Sequence, residues 1–201
     1  ELLHFTGGYQ HDLRHVKLND GKTAYGKGVE FGSNGISESV WRTQHSLLRN
    51  ADVYPTHGLG PIAVMADVNR GNRFLSLTSH ATKAIGLNKY IVDNGGENHP
   101  NAKLKWKQGD IITSTIETSN GETIIITHNV NTPHPYSLGF KVQGVNGLAD
   151  FDHHTQRMHI EGITEGHGWE AMDAWFEKYD HPLWKKYGHV AAEAGHGGID
   201  F

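Results

Sequence analysis

The chain has 201 residues, 36% of them apolar and 20% charged, which sizes it for one domain with a packed core. Its net charge of -4 is dispersed, so neither a nucleic-acid-binding stripe nor a polybasic membrane helix is indicated, and no apolar run is long enough to span a bilayer. The lack of cysteine excludes a disulfide framework, Cys-ligated zinc and a thiol nucleophile, and leaves the compartment open.

In chain order, strands are expected at residues 2–9, 40–47, 73–79, 111–118, 123–130, 138–143 and 158–161, where β-branched residues and alternation concentrate. Asn120-Gly121 lies between two alternating runs, the strongest short hairpin signal, and predicts an antiparallel pair over 111–130. Helices are expected at 61–69, with Pro61 near the first helical position, at 169–178, and in a short piece at 190–194. The segments 17–37 and 85–109 read as long glycine-rich loops, and long loops in compact domains tend to be functional or interfacial. Runs of strands with helices beside them indicate an α+β fold with an open, mainly antiparallel sheet, in one domain over 1–201.

The stretch "YPTHGLGP", residues 54–61, invites three readings. Gly58-x-Gly60-x-x-Ala63 fits a dinucleotide pattern, but no buried strand precedes it and no acidic residue follows at the required distance, so the pattern reads as a tight turn feeding a helix. A metal reading draws on His11 and His15, spaced to share a helix face, and on His153, His154 and His159. "HDLRH" lacks the glutamate of the zincin pattern and spacing implies no third ligand, so surface histidines explain these positions and no metal is expected.

The third reading is a cradle for a sugar-type or small polar substrate. Tyr9 ends a strand and is followed by Gln10, His11, Asp12 and Arg14, and strand ends are where sites are usually mounted. Arg42 is expected in a second strand, Tyr54 and His57 in the loop, and Tyr136 follows two prolines that stiffen its backbone. Near the end, "GHGGIDF" surrounds His196 with glycines that permit close approach by a ligand or another domain. Singly, each is more often packing than chemistry: a strand-end tyrosine is usually half-buried, and an arginine often only pairs with a carboxylate.

"GGYQHDLRHVK", "YGKGVEFG", "WRTQHSLLRNADVYPTHGLGPIA", "NRGNRF", "YSLGF", "YDHPLWKKYG" and "GHGGIDF" together resemble the C-terminal domain of the NAD-dependent glycoside hydrolases of family 109, the bacterial α-N-acetylgalactosaminidases, over essentially the whole chain. That family belongs to the Gfo/Idh/MocA superfamily, so the resemblance implies a dihydrodipicolinate-reductase-like C-terminal domain and an NAD-binding Rossmann domain expected upstream of Glu1. It implies substrate contacts at Tyr9, Arg42, Tyr54, Pro55, Thr56, His57 and Tyr136, and cofactor contacts at Tyr54, His11 and His196. Other branches carry D-x-G-x-H near the catalytic histidine; "YPTH" here supports the glycosidase branch.

The chemistry implied by the resemblance begins with oxidation at carbon 3 of a terminal α-N-acetylgalactosamine, which acidifies the hydrogen on carbon 2. Elimination, addition of water and reduction follow, without the carboxylate pair of ordinary glycosidases. His57 is then the group that takes the carbon 3 hydroxyl proton. Tyr54 or Tyr9 acts at carbon 2 if its pKa is lowered. Arg42 orients a hydroxyl or the acetamido oxygen. Expected partners are a glycan ending in that sugar, the Rossmann domain, and a homo-oligomer through the sheet if one face is apolar. The location implied is periplasmic or secreted after Tat-type export, or cytoplasmic. Two alternatives stand beside this: an NAD(P)-dependent sugar oxidoreductase that releases reduced cofactor, and a sheet domain serving mainly oligomerisation.

Overall fold

Alternating segments pair edge to edge wherever a turn or a crossover brings them together, and in this chain they form one eight-stranded sheet. The computed structural model describes residues 1–152 and 154–195. In chain order the strands are β1 (Leu2–Gln10), β2 (Phe74–Ala81), β3 (Ile111–Thr118), β4 (Thr123–Asn129), β5 (Phe140–Gly144), β6 (Gly147–Phe151), β7 (Gln156–Ile160) and β8 (Glu170–Ala171). The helices are α1 (Arg14–Lys17), α2 (Arg42–Leu48), α3 (Thr56–Met65), α4 (Gly86–Gly95), α5 (Asp173–Tyr179) and α6 (Pro182–Glu193). None is long and apolar enough to cross a membrane.

The strand order is β2-β3-β4-β1-β5-β6-β7-β8. The expected hairpin joins β3 to β4 with Gly121 at φ 96°, and Ile116 stands opposite Ile124. Only β1 and β4 run parallel, Phe5 beside Ile124 and Tyr9 beside His128; every other named pair is antiparallel. The sheet is therefore open and mainly antiparallel with helices beside it, the α+β arrangement expected.

Alternation then decides what each face is made of. On one face Phe5, Ile116, Ile124, Ile126 and Phe140 form a core under Ile62 of α3 and Ala66, which follows its last turn. Ile62 has no exposed surface, and burying a side chain of that size contributes about 1.5–3 kcal/mol. On the other face the same strands present Thr6, Thr113, Thr115, Glu117 and Thr127, continued across the sheet by Lys141, Asp150 and Arg157. Ile125 and Leu148 lie on that face as well, so it is mainly polar with apolar positions among its residues.

Several local expectations are corrected. Residues 40–47 form the end of a 3-10 turn and α2 rather than a strand; the buried positions of the helix, Thr43 and Ser46, are small and polar, so no apolar period marks it in the sequence. Helix α3 starts at Thr56, five residues before Pro61, which sits inside it. The segment 85–109 contains α4, whose Leu87 and Ile91 pack with Leu18, Val29 and Trp106 in a second core. Its first turn is held by the Asp110 carboxylate, which accepts from the Ile85 and Gly86 amides at 2.9 Å each. The expected helix at 169–178 divides into β8 and α5, and the piece at 190–194 is the end of α6, which starts on Pro182. Strand β6, glycine-initiated and short, had no counterpart in the sequence reading.

Candidate active site

The site is built on a close contact between a strand and a helix. On β1, residues 5, 7 and 9 face α3, and the two glycines before Tyr9 leave the strand surface bare. Gly58, buried in the first turn of α3, presses onto it: a Cβ there would lie 2.6 Å from the Gly8 nitrogen and 2.7 Å from its Cα. Gly8 is equally closed, because its Cβ would meet the Thr127 carbonyl at 2.1 Å. Gly58 and Gly60 are thus helical residues without positive φ, not a turn, and Gly58 serves close approach.

This contact seats His57 against Tyr9, with ring centroids 4.9 Å apart. Tyr54 closes the group, 4.9 Å from Tyr9 and 4.7 Å from His57. Its backbone amide is fixed by the Asp52 carboxylate at 2.8 Å. Tyr136 stands edge-on to Tyr9 at 6.0 Å and to His11 at 5.2 Å. Its segment is clipped to the end of β1 by paired backbone bonds between Gln10 and Ser137, at 3.0 and 2.8 Å. Arg42, the first residue of α2 rather than a strand residue, lays its guanidinium over Tyr54 at 5.2 Å and pairs with Glu38 at 2.6 Å. Pro55 and Thr56 open α3 with exposed side chains.

Tyr9, Arg42, Tyr54, His57, Tyr136 and His11 are therefore brought together in one place, while His196, like His153, lies outside the described residues. The paired-histidine geometry does not form: His11 precedes α1, and His15 packs against Tyr25 at 6.1 Å. Among the described residues no three potential metal ligands cluster.

Burial sets the protonation of the cluster. It pushes the Tyr9 phenol up to about 12, with Arg42 the largest opposing influence. That is the wrong direction for a base, so Tyr9 is a protonated donor at neutral pH and the lowered tyrosine expected at carbon 2 is not found there. Burial also raises Tyr136, and burial followed by the neighbouring His15 lowers His11, which keeps its imidazole neutral. Two buried polar atoms here, His11 Nδ1 and Arg42 Nε, have no hydrogen-bond partner among the described residues. The bordering carboxylates are engaged: Glu38 with Arg42, Asp52 with the Tyr54 amide, and Asp152 with Ser137 and Gly139.

Beneath the rings lies a polar layer that the sequence reading missed. The Lys17 ammonium, fully buried, donates to Ser46 at 2.8 Å, Gln108 at 3.2 Å and Asn131 at 2.6 Å. It ties α1 to α2, the carrier of Arg42, and to the segments before β3 and after β4; the Thr43 hydroxyl adds a bond to the Lys17 carbonyl. Nearby, His128 Nε2 stands 3.8 Å from Asp52, too far for a hydrogen bond. Burial, then the Lys17 and Arg42 charges, push His128 down to about 3, so its imidazole stays neutral and makes no ion pair with Asp52, whose carboxyl burial pushes upward.

This layer makes stability depend on pH. Burial, then Arg42, lowers Lys17 to about 7, so between there and its unfolded value only the unfolded state holds the proton and stability rises with pH. His128 acts in the same direction at acid pH, its contribution being lost as pH falls from about 6.5 toward about 3. Urea unfolding of the wild type should gain about 3 kcal/mol from about pH 7 to about pH 9.5, and Lys17→Met should flatten that rise. An identical slope in the variant would show that Lys17 is not the titrating group.

The sequence model described as "Glycosyl hydrolase 109, C-terminal domain" matches residues 1–201. A glycosyl hydrolase family 109 protein of Parabacteroides distasonis is 55% identical over 100% of this chain and 44% of its own length. A protein of Tannerella forsythia named alpha-N-acetylgalactosaminidase is 53% identical over 100% of this chain and 43% of its own length. The chain thus spans less than half the length of these relatives. Among solved structures, levoglucosan dehydrogenase in complex with NADH and L-sorbose superposes with TM-score 0.54 at 15% identity, over 85% of this chain and 40% of that one. An inositol dehydrogenase homolog complexed with NAD+ from Azotobacter vinelandii gives 0.50 at 14%, over 85% and 36%. These two likenesses are of fold alone, whereas the sequence match is specific: the chain belongs to glycosyl hydrolase family 109, as its C-terminal domain.

Proposed function

We propose that this domain is the sugar-holding half of an NAD-dependent α-N-acetylgalactosaminidase. The observation that carries the reading is the convergence of Tyr9, Tyr54, His57, Tyr136 and Arg42 at one end of β1. Aromatic faces with phenol, imidazole and guanidinium groups suit a sugar, whose ring offers both C–H surfaces and hydroxyls. The name of the Tannerella forsythia relative supports the substrate, and the NADH-bound neighbour, similar in fold, supports the cofactor.

The residues present fit one end of NAD. His11 Nδ1 is a buried polar atom awaiting a partner, and its neutral ring does not repel a cationic nicotinamide. Tyr54 and His11 would hold that end. When bound, NAD would supply hydride acceptance and return at carbon 3. The chain itself binds and orients the sugar and moves protons. His57, half-buried at the entrance of α3, takes the proton of the carbon 3 hydroxyl. Tyr9, kept protonated by burial, donates a hydrogen bond to the sugar. Tyr54, under the Arg42 guanidinium, is assigned the hydrogen on carbon 2, and Arg42 orients a hydroxyl or the acetamido oxygen.

The test is turnover of an aryl α-N-acetylgalactosaminide by the full-length protein, with NADH absorbance followed in the same cuvette. Hydrolysis without accumulating NADH is the expected result. Stoichiometric free NADH would identify a sugar oxidoreductase instead.

A further inference from the structure

At the other end of the sheet, between the β5–β6 turn and the 161–169 loop, lies a cleft of about 440 Å³ lined by Gln143, Asn146, His159, Glu161, His167 and Trp169, among others. Its volume falls in the ~300–1,000 Å³ range of small-molecule sites. Gly144 pairs near Leu2 while the aromatic cluster gathers at Tyr9, which puts the two sites roughly 25 Å apart along β1.

The walls are tied to each other. The Glu161 amide donates to the Asn146 carbonyl at 2.9 Å, and Gln143 Nε2 donates to the Gly144 and Gly147 carbonyls at 2.8 and 3.0 Å. His159 Nδ1 lies 3.0 Å from the Gly168 carbonyl, which can only accept, so Nδ1 carries the proton. These bonds use up the donors of Gln143 and of His159 Nδ1 and leave their acceptors, Gln143 Oε1 and His159 Nε2, with the Glu161 carboxylate, beside the donors carried by Asn146, His167 and Trp169. Arg157 covers one face of the Trp169 indole at 4.3 Å, yet the indole remains 44% exposed, open to the cleft.

The Glu161 carboxylate disfavours anions, and acceptors and donors side by side suit a ligand of neutral hydroxyls, which both accept and donate. An indole beside them adds a surface for C–H groups. A metal is not indicated, because His159, Glu161 and His167 do not gather as ligands among the described residues. We infer that this cleft is a second, non-catalytic binding site for a neutral saccharide ring. The inference stands independently of the activity proposed for the aromatic cluster.

The experiment uses full-length protein labelled with 5-fluorotryptophan, the Trp169 resonance being assigned by its loss in Trp169→Phe. N-acetyl-D-galactosamine, D-galactose and D-glucose are titrated separately into the millimolar range, with inorganic phosphate as the anionic comparison. The expected result is a saturable shift of the Trp169 resonance with at least one sugar, weakened about tenfold by Glu161→Gln through loss of a charge-assisted bond. Aryl-glycoside kcat/KM in Glu161→Gln should stay at the wild-type value. A Trp169 resonance that no sugar moves, or that phosphate moves more, overturns the inference. Loss of aryl-glycoside turnover in the wild type would overturn only the glycosidase reading, since the fluorine shift does not depend on it.

Discussion

Replacing His57 by alanine in the full-length enzyme will lower kcat roughly 100-fold or more and leave folding and NAD binding intact. The expectation follows from where the imidazole sits. It is half-buried in the first turn of α3, touches the rings of Tyr9 and Tyr54, and makes no side-chain hydrogen bond among the described residues. Its removal therefore strips a proton-transfer group while disturbing little packing. Steady-state kinetics, thermal unfolding and a cofactor-binding titration on the same preparation check the three parts. Near-normal turnover, or a variant that unfolds, would return His57 to a structural role.

The second large effect is expected at Gly58. A methyl group there meets backbone atoms of Gly8 at 2.6 and 2.7 Å, and backbone cannot rotate aside as a side chain can. Gly58→Ala must lift α3 from β1, at a cost of about 1–3 kcal/mol in stability. Because His57 rides on the same turn, a displacement on the order of 1 Å should also cost about 100-fold in kcat. Gly60→Ala is the matched control. Nothing lies within 4 Å of a Cβ at that position, so alanine should be neutral or stabilise the helix by up to about 1 kcal/mol. Equal behaviour of the two variants in urea unfolding and kinetics would contradict the packing account.

The two glycines also show how far the sequence could be read. "HGLG" before a proline has the composition of a turn, and the reason Gly58 is glycine lies across the chain at Gly8, where no local pattern points. Strands β3 and β4 were legible because Ile112, Ile116, Ile124 and Ile126 alternate with less buried positions around a glycine turn. The same alternation places His128 on the inward side with Ile124 and Ile126, a signal that was present and passed over. Helix α2 was not legible, since its buried face is Thr43 and Ser46, whose partners are the Lys17 carbonyl, the Lys17 ammonium and Gln108. Lys17 itself stands between Val16 and Leu18 in "HVKLN" and looks like an ordinary solvated lysine until its three acceptors arrive from distant segments. The cluster of Tyr9, Arg42, Tyr54, His57 and Tyr136 was legible as a set through family resemblance, while the protonation of Tyr9 was not, because burial is a property of the fold.

The central claim is that this site handles protons at carbons 3 and 2 rather than displacing the leaving group with a carboxylate. Hydrolysis of an aryl α-N-acetylgalactosaminide by the full-length enzyme in heavy water tests it most directly. The account predicts deuterium at carbon 2 of the released sugar, with incorporation slowed in His57→Ala because loss of that hydrogen follows oxidation at carbon 3. Full retention of protium at carbon 2 during wild-type turnover, the result of direct displacement by paired carboxylates, would contradict it.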